Sequence, residues 1–235
     1  MRVLAWDGCV NVRDLGGLPV LGGGETRFGS IVRADSVRHL TRAGWDALAQ
    51  YGTKLVIDLR SRRERDEDEP GDTPLPVLHI PITPDDVPDS WSWPSMRAAY
   101  LGLLETYGTE YGAVVDAVAT TEGPVVIHCA GGRDRTGLAV ALMLSLLPVE
   151  DEAIAADHAL SDESFAPYQQ EWIDRAADER ERERRRRVSV PAGRTMVGIL
   201  AEVGRRYGGA EAYLRAGGAK AESLELVRRR LLPNP

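Results

Sequence analysis

The stretch from Val125 to Leu147, VVIHCAGGRDRTGLAVALMLSLL, constrains the fold more than any other part of the chain. Its opening apolar run reads as a strand buried on both faces, and Leu138–Leu147 reads as a buried helix. Between them stand one thiol, two glycines and an Arg-Asp-Arg triplet. A strand that passes so quickly into a helix is the unit of α/β sheets, and such sheets bind ligands at the carboxyl ends of their strands.

The spacing is Cys129, five residues, Arg135. Five residues suffice to curl the backbone so that successive N–H groups point inward as an anion nest. Gly131 and Gly132 supply the backbone freedom for that curl. The helix that starts near Arg135 adds its own N–H groups and the positive end of its dipole. Arg135 can grip two phosphate oxygens with its planar fork, and Arg133 adds charge. A thiol in this field is expected to ionise well below its free value of about 8.5, and the thiolate is the nucleophile. The Thr136 hydroxyl is expected to hydrogen-bond that thiolate, and His128 to order the loop through backbone groups. Asp134 would lie beside a bound phosphate dianion, where like-charge repulsion raises a carboxyl pKa. It is therefore the candidate general acid and base, a role typically worth about 10² to 10⁴ in rate. Taken singly, each residue has a plainer reading: a buried small Cys129, an Asp134 paired with Arg133, Arg135 or Arg13, a structural His128. Their joint occurrence carries the case.

The rest of the chain supports an α/β reading. Gly22–Gly24 marks a hairpin. Thr41 caps a helix ending at Gly52. Strands are expected at Lys54–Asp58, Val77–Ile82 and Pro124–His128, and helices at Ser95–Tyr107 and Glu110–Thr121. From Glu150 onward the pattern is helical, with breaks expected near Ser161–Pro167, Val188–Gly193, Gly208–Gly209 and Gly217–Gly218. These features predict a mainly parallel central sheet flanked by helices, one domain over residues 1–235, and a helical lid insert over 150–190.

Bulk properties exclude several classes. The 235 residues are 43% hydrophobic, enough for a sizeable core. A net charge of −7 disfavours nucleic-acid binding, which needs a basic face. Two cysteines give no disulfide framework and predict a reducing compartment. No signal-peptide core is seen, so a cytoplasmic protein is expected. His39, His79, His128 and His158 are scattered, so neither a metal nor another cofactor is expected.

The segment HCAGGRDRTG resembles the HCxAGKDRTG signature of the atypical bacterial protein-tyrosine phosphatases, a tyrosine/serine phosphatase family that shades into phosphoinositide phosphatases. NVRDLGG (Asn11–Gly17), IVRADSVRHLT (Ile31–Thr41), VIDLRSRRERD (Val56–Asp66), DHALSD (Asp157–Asp162) and RYGGAEAYLRAGG (Arg206–Gly218) resemble that family's other motifs, in order. The resemblance implies a cysteine-phosphatase fold and a phosphocysteine intermediate. Cys129 maps to the nucleophile, Arg135 to the phosphate-binding arginine and Asp134 to the in-loop acid, with Ala130, Gly131, Gly132, Arg133 and Thr136 lining the phosphate site. It implies a phosphorylated protein or a phosphoinositide as substrate. Two positions depart from the signature: Arg133 replaces a lysine and Gly131 an alanine. The usual mobile acid loop is not evident, since Trp93–Ser95 lacks a carboxylate; Asp85, Asp86 and Asp89 are weaker candidates.

Secondary features carry weaker readings. Arg13 and Asp14 are expected to brace the catalytic loop. Arg60 and Glu64 have the i,i+4 spacing of ordinary helix support. Glu179–Arg187, with six arginines and three glutamates, reads as a salt-laced solvated helix, or as a basic face toward anionic lipid. Phe165, Tyr168 and Trp172 read as packed core or as a shield over the thiolate. Cys9 reads as a small buried residue, with a reversible Cys9–Cys129 disulfide as the sharper alternative. Two rival functions are a phospho-ligand binding module without turnover and a rhodanese-like sulfurtransferase. The latter gives no reason for an arginine at the sixth place.

Overall fold

Short apolar strands alternate with helices along the first two thirds of the chain, and helices alone follow. The computed structural model describes residues 2–67, 73–83, 93–191 and 193–232. The elements run β1 (Arg13–Asp14), β2 (Ile31–Ala34), α1 (Arg42–Gln50), β3 (Leu55–Asp58), α2 (Arg62–Asp66), β4 (Val77–His79), α3 (Met96–Thr106), α4 (Gly108–Thr120), β5 (Val125–His128) and α5 (Asp134–Leu144). Then come α6 (Asp151–Asp174), α7 (Glu179–Val188), α8 (Gly193–Tyr207), α9 (Ala210–Ala216) and α10 (Ala221–Leu231).

The strands form one sheet in the order β1-β2-β5-β3-β4. β2, β5, β3 and β4 are parallel, and β1 pairs antiparallel with β2 at the edge. β5 is central, in register with β2 through Ile31↔Val125 and with β3 through Leu55↔Val125. Both faces of the sheet are covered, which explains the uninterrupted apolar strands. Successive side chains take opposite faces. Val125 and Ile127 enter the larger core, with Leu103, Val114, Leu138 and Leu142. Val126 enters the smaller one, with Trp6, Val32, Leu48 and Val56. Each such aliphatic side chain contributes about 1.5–3 kcal/mol on burial.

Local signals set most boundaries. Thr41 Oγ1 accepts from the Gly44 amide at 3.3 Å and opens α1, and Ser95 does the same for α3. The glycines at 22–24 all have positive φ and turn the chain back, although the flanking pairing is a single Pro19–Glu25 bridge. One expected break does not occur: α6 continues through Ser161–Pro167. Proline removes one amide and crowds the preceding turn. Here Pro167 lies on the exposed half of the helix, and the buried half, with Ile154, Asp157, His158 and Ser161, anchors it.

Candidate active site

Cys129 follows the central strand and is buried at 2% exposure. Residues 130–133 form the turn, and α5 begins at Asp134. The turn is held from one side, carbonyl by carbonyl. The Ser36 amide donates to Ala130 O at 3.0 Å. Asn11 Nδ2 donates to Gly131 O at 2.8 Å. Arg33 Nη2 donates to Gly132 O at 2.7 Å and to Arg133 O at 3.3 Å. In a planar trans peptide the N–H points opposite to the C=O. Four carbonyls tied toward β1 and β2 therefore turn the amides of Gly131 to Asp134 the other way, as a row of donors ahead of α5. Gly132 has φ +62°, and a methyl group there would lie 2.2 Å from Ala34 O. Only glycine lets the turn approach β2 so closely.

The donors are themselves pinned by a buried ionic cluster. Asp157, 1% exposed on α6, accepts from Arg13 Nε at 3.0 Å and Arg33 Nη1 at 2.7 Å, and also pairs with Arg2. Ser161 Oγ accepts from both Arg13 and Arg33. Arg13 Nη1 donates to Asn11 Oδ1 at 2.6 Å, which orients the Asn11 amide toward Gly131. Burial opposes the Asp157 charge, but Arg33, Arg13 and Arg2 outweigh it and hold its carboxyl well below the usual range. Burial, then repulsion from Arg33, pulls Arg13 down to about 10. Arg13 thus supports the loop through Asn11. Asp14 does not reach it: its carboxylate accepts from the Gly16 and Gly29 amides and from Tyr51, which fixes the turns after β1.

Arg135 is 3% exposed and is clamped by Glu64, with Nη1–Oε2 at 2.6 Å and Nη2–Oε1 at 2.8 Å, and by Thr83 Oγ1 at 2.8 Å. The expected Arg60–Glu64 helix pair is not formed. Arg60 instead folds back onto Asp58 at 2.8 Å, and Glu64 completes a capping box with Ser61 while it holds Arg135. Burial would raise the Glu64 pKa; hydrogen bonds and charge from Arg135 reverse this and bring it down to about 2. His128 Nδ1 lies 3.3 Å from Cys129 O. Burial pushes its pKa down to about 4, against the pull of Asp58, so the ring is neutral at pH 7.

One expectation about a loop side chain needs correction: the Thr136 hydroxyl is buried and hydrogen-bonds no group, so the bond to the thiolate is not made. The Asp134 pKa lies below its ordinary value in the loop itself, before the rise expected of a bound phosphate dianion. Burial would raise it, but the Arg133 guanidinium, 3.1 Å away, and the Tyr100 hydroxyl, 2.5 Å away, outweigh burial. Arg133 also reaches Asp162 on α6 and Val188 O at the end of α7, so it ties the helical insert to the loop. On α6, Phe165 is half-buried, and its ring lies 3.6 Å from a methyl group placed on Gly131. Tyr168 and Trp172 are exposed at 51% and 40%, not core; Arg185 stacks 4.9 Å above Trp172. On α7, glutamates pair with arginines at i,i+3 and i,i+4, as a solvated helix would.

Cys9 donates to Ser36 O, and burial and Asp35 raise its thiol pKa. Among the described residues no cluster of three metal-ligating side chains occurs, and no helix is long and apolar enough to cross a membrane. Asp85, Asp86 and Asp89 lie outside the described residues. Asn11, Arg33, Ser36, Tyr100 and Asp157 were not singled out from the sequence, and Glu64 was read only as helix support. All of these but Tyr100 fall inside motifs quoted above, and that was the available signal.

Known proteins resemble this chain over most of its length. A model of the tyrosine phosphatase family matches residues 4–233. A provisionally named tyrosine-protein phosphatase of Cupriavidus necator is 31% identical over 188 residues, covering 74% of this chain and 68% of that protein. The triple specificity protein phosphatase PtpB of Mycobacterium tuberculosis is 29% identical over 202 residues, covering 70% of this chain and 71% of its own. Among solved structures, TpbA of P. aeruginosa, a cysteine-to-serine variant bound to phosphotyrosine, covers 73% of this chain and 86% of its own at 19% identity and a TM-score of 0.38. The match along almost the whole length, with a buried cysteine and arginine flanking a turn whose amides face one way, makes this chain a member of the tyrosine phosphatase family and a phosphoric monoester hydrolase.

Proposed function

We propose that the chain hydrolyses phosphotyrosine and other phosphomonoesters on proteins through a phosphocysteine intermediate. The observation that supports this reading is the set of four tied carbonyls, Ala130 to Arg133, which turns the loop amides to the opposite side as candidate phosphate donors. In the first step Cys129 Sγ attacks phosphorus, the S–P bond forms, and the bond to the ester oxygen breaks. Asp134 gives that oxygen its proton. In the second step water attacks phosphorus, gives a proton to Asp134, and the S–P bond breaks to release phosphate. Loop amides and Arg135 hold the equatorial oxygens throughout, and such fixed donors supply most of the rate enhancement in phosphoryl transfer. Glu64 and Thr83 keep Arg135 aimed at the site.

The insert at 150–190 acts as a lid in this reading. It reaches the loop through Arg133–Asp162, Arg133–Val188 and the ring of Phe165. Two free thiols suit a reducing cytoplasmic setting. Activity on an aryl phosphate should vanish in Cys129→Ser, while inorganic phosphate still binds. Acid quenching of the wild-type reaction should trap a labelled phosphoenzyme. Unchanged turnover in Cys129→Ser removes Cys129 from the chemistry. A panel of phosphopeptides and phosphoinositide vesicles decides the substrate: faster turnover of the vesicles overturns the protein assignment.

A further inference from the structure

Behind Asp134 runs a buried hydrogen-bonded chain that the reaction just described leaves unused. Asp134 Oδ1 accepts from the Tyr100 hydroxyl at 2.5 Å, and that hydroxyl lies 2.9 Å from His158 Nε2. Tyr100 is 0% exposed and His158 1%. The three residues come from α3, α5 and α6.

Proton bookkeeping gives the chain a direction. Burial, then Arg33, pushes the His158 pKa down to about 3, so its ring is neutral and carries one N–H. When Asp134 is ionised, the Tyr100 hydrogen points at the carboxylate. The Tyr100 oxygen then accepts from His158 Nε2–H, and every contact is satisfied. Nδ1 is left bare, and it is buried without a hydrogen-bond partner. A methyl group on Gly137 would lie 2.4 Å from it, so α5 closes that side. When Asp134 is protonated, the proton sits on Oδ2, because on Oδ1 it would meet the Tyr100 hydrogen, and Tyr100 could not turn to His158, whose Nε2–H cannot accept. The Tyr100 bond to Oδ1 then persists but is weaker than its bond to the charged carboxylate, so the network as built favours the carboxylate.

We propose that Tyr100 and His158 are positioning residues for Asp134: they fix Oδ1 in the wall, leave Oδ2 toward the leaving group, and withhold the proton until a phosphate dianion enters the loop. This rests on the reading of Asp134 as the acid. The other groups that face Asp134 act alongside them: Arg133 and Arg135 on its own segment, Cys129 ahead of it, Tyr111 from α4, and Asp162 from α6 on the far side of Arg133. An acid restrained in this way suits ester oxygens that need little proton assistance. Phenolic esters fit this description and alkyl esters do not, so the network biases the enzyme toward phosphotyrosine.

The test is the pH dependence of kcat/KM for one aryl and one alkyl phosphate, in wild type and in Tyr100→Phe. The variant's descending limb should move up by about one pH unit, a tenfold change in proton affinity at Asp134. The aryl-to-alkyl ratio should narrow. His158→Gln, which can still donate to Tyr100, should keep the wild-type profile, and His158→Leu should shift part of the way. If Tyr100→Phe fails to fold, the His158 pair decides the matter. Asp134→Asn runs in parallel. Full alkyl phosphatase activity in Asp134→Asn overturns the acid assignment itself. Loss in Asp134→Asn, with the limb and ratio unmoved in the Tyr100 and His158 variants, overturns the positioning role alone.

Discussion

Replacement of Asp157 by asparagine tests the idea that a buried ionic cluster holds the catalytic turn in shape. Asp157 is 1% exposed and faces Arg13 and Arg33, themselves 2% and 1% exposed, together with Arg2. Neutralising it leaves buried guanidiniums without a counter-charge. Removing one partner of a buried pair costs about 3–5 kcal/mol. Asparagine keeps the shape and one carbonyl oxygen, which places the loss near the lower end, about 3 kcal/mol. In a chain of this size each kcal/mol moves Tm by about 2–4 °C, so a fall of about 6–12 °C is expected at pH 7. The pH dependence has a definite sign. The folded carboxyl lies below its unfolded value of about 3.9 because the arginines outweigh burial. The stabilisation is therefore complete above about pH 4 and declines as pH falls toward the folded pKa, by about 1.4 kcal/mol per unit. Thermal unfolding of both proteins between pH 7 and pH 3 reads this directly. A Tm loss below about 2 °C at pH 7, or a gap that does not narrow below pH 4, refutes the reasoning.

Two further outcomes follow from the site geometry. Gly132→Ala demands positive φ and places a methyl group 2.2 Å from Ala34 O, in a strand that cannot retreat; left-handed strain alone costs about 1–3 kcal/mol, so vanadate binding measured by calorimetry should weaken at least tenfold, and retained affinity would contradict the close approach. Glu64→Gln keeps one acceptor for Arg135 and loses the charge; with Glu64 34% exposed, a loss of about 1–2 kcal/mol is expected, seen as a Tm fall of about 2–8 °C that shrinks as pH drops from about 4.5 toward the folded value of about 2.

What the sequence made legible is what is encoded locally. The buried strand before Cys129, the glycines of the turn, the Thr41 cap and the parallel sheet all rest on patterns a few residues long. The second tier of the site does not. Glu64 lies in a charged run whose evident partner by spacing was Arg60; its actual partner, Arg135, is 71 positions away. Arg33 meets Asp157 across 124 positions, and Tyr100 meets His158 across 58. No periodicity reports such meetings. The continuity of α6 through Pro167 was hidden for a related reason: tertiary anchoring of Ile154, Asp157 and Ser161 overrides a local breaker. Asp134 shows the same limit in electrostatics, since its acidity is set by Tyr100 and Arg133 and not by the loop motif alone.

The props of the turn come from residues 11, 33, 36, 64 and 157, while the cysteine itself is residue 129. During synthesis the thiol therefore emerges from the ribosome before the helix that supplies Asp157. Until that helix docks, Arg13 and Arg33 have no shared anchor and the turn has no reason to hold its curl. A nascent chain would carry an inert sulfur, and competence would arrive late, as a property of the finished tertiary structure.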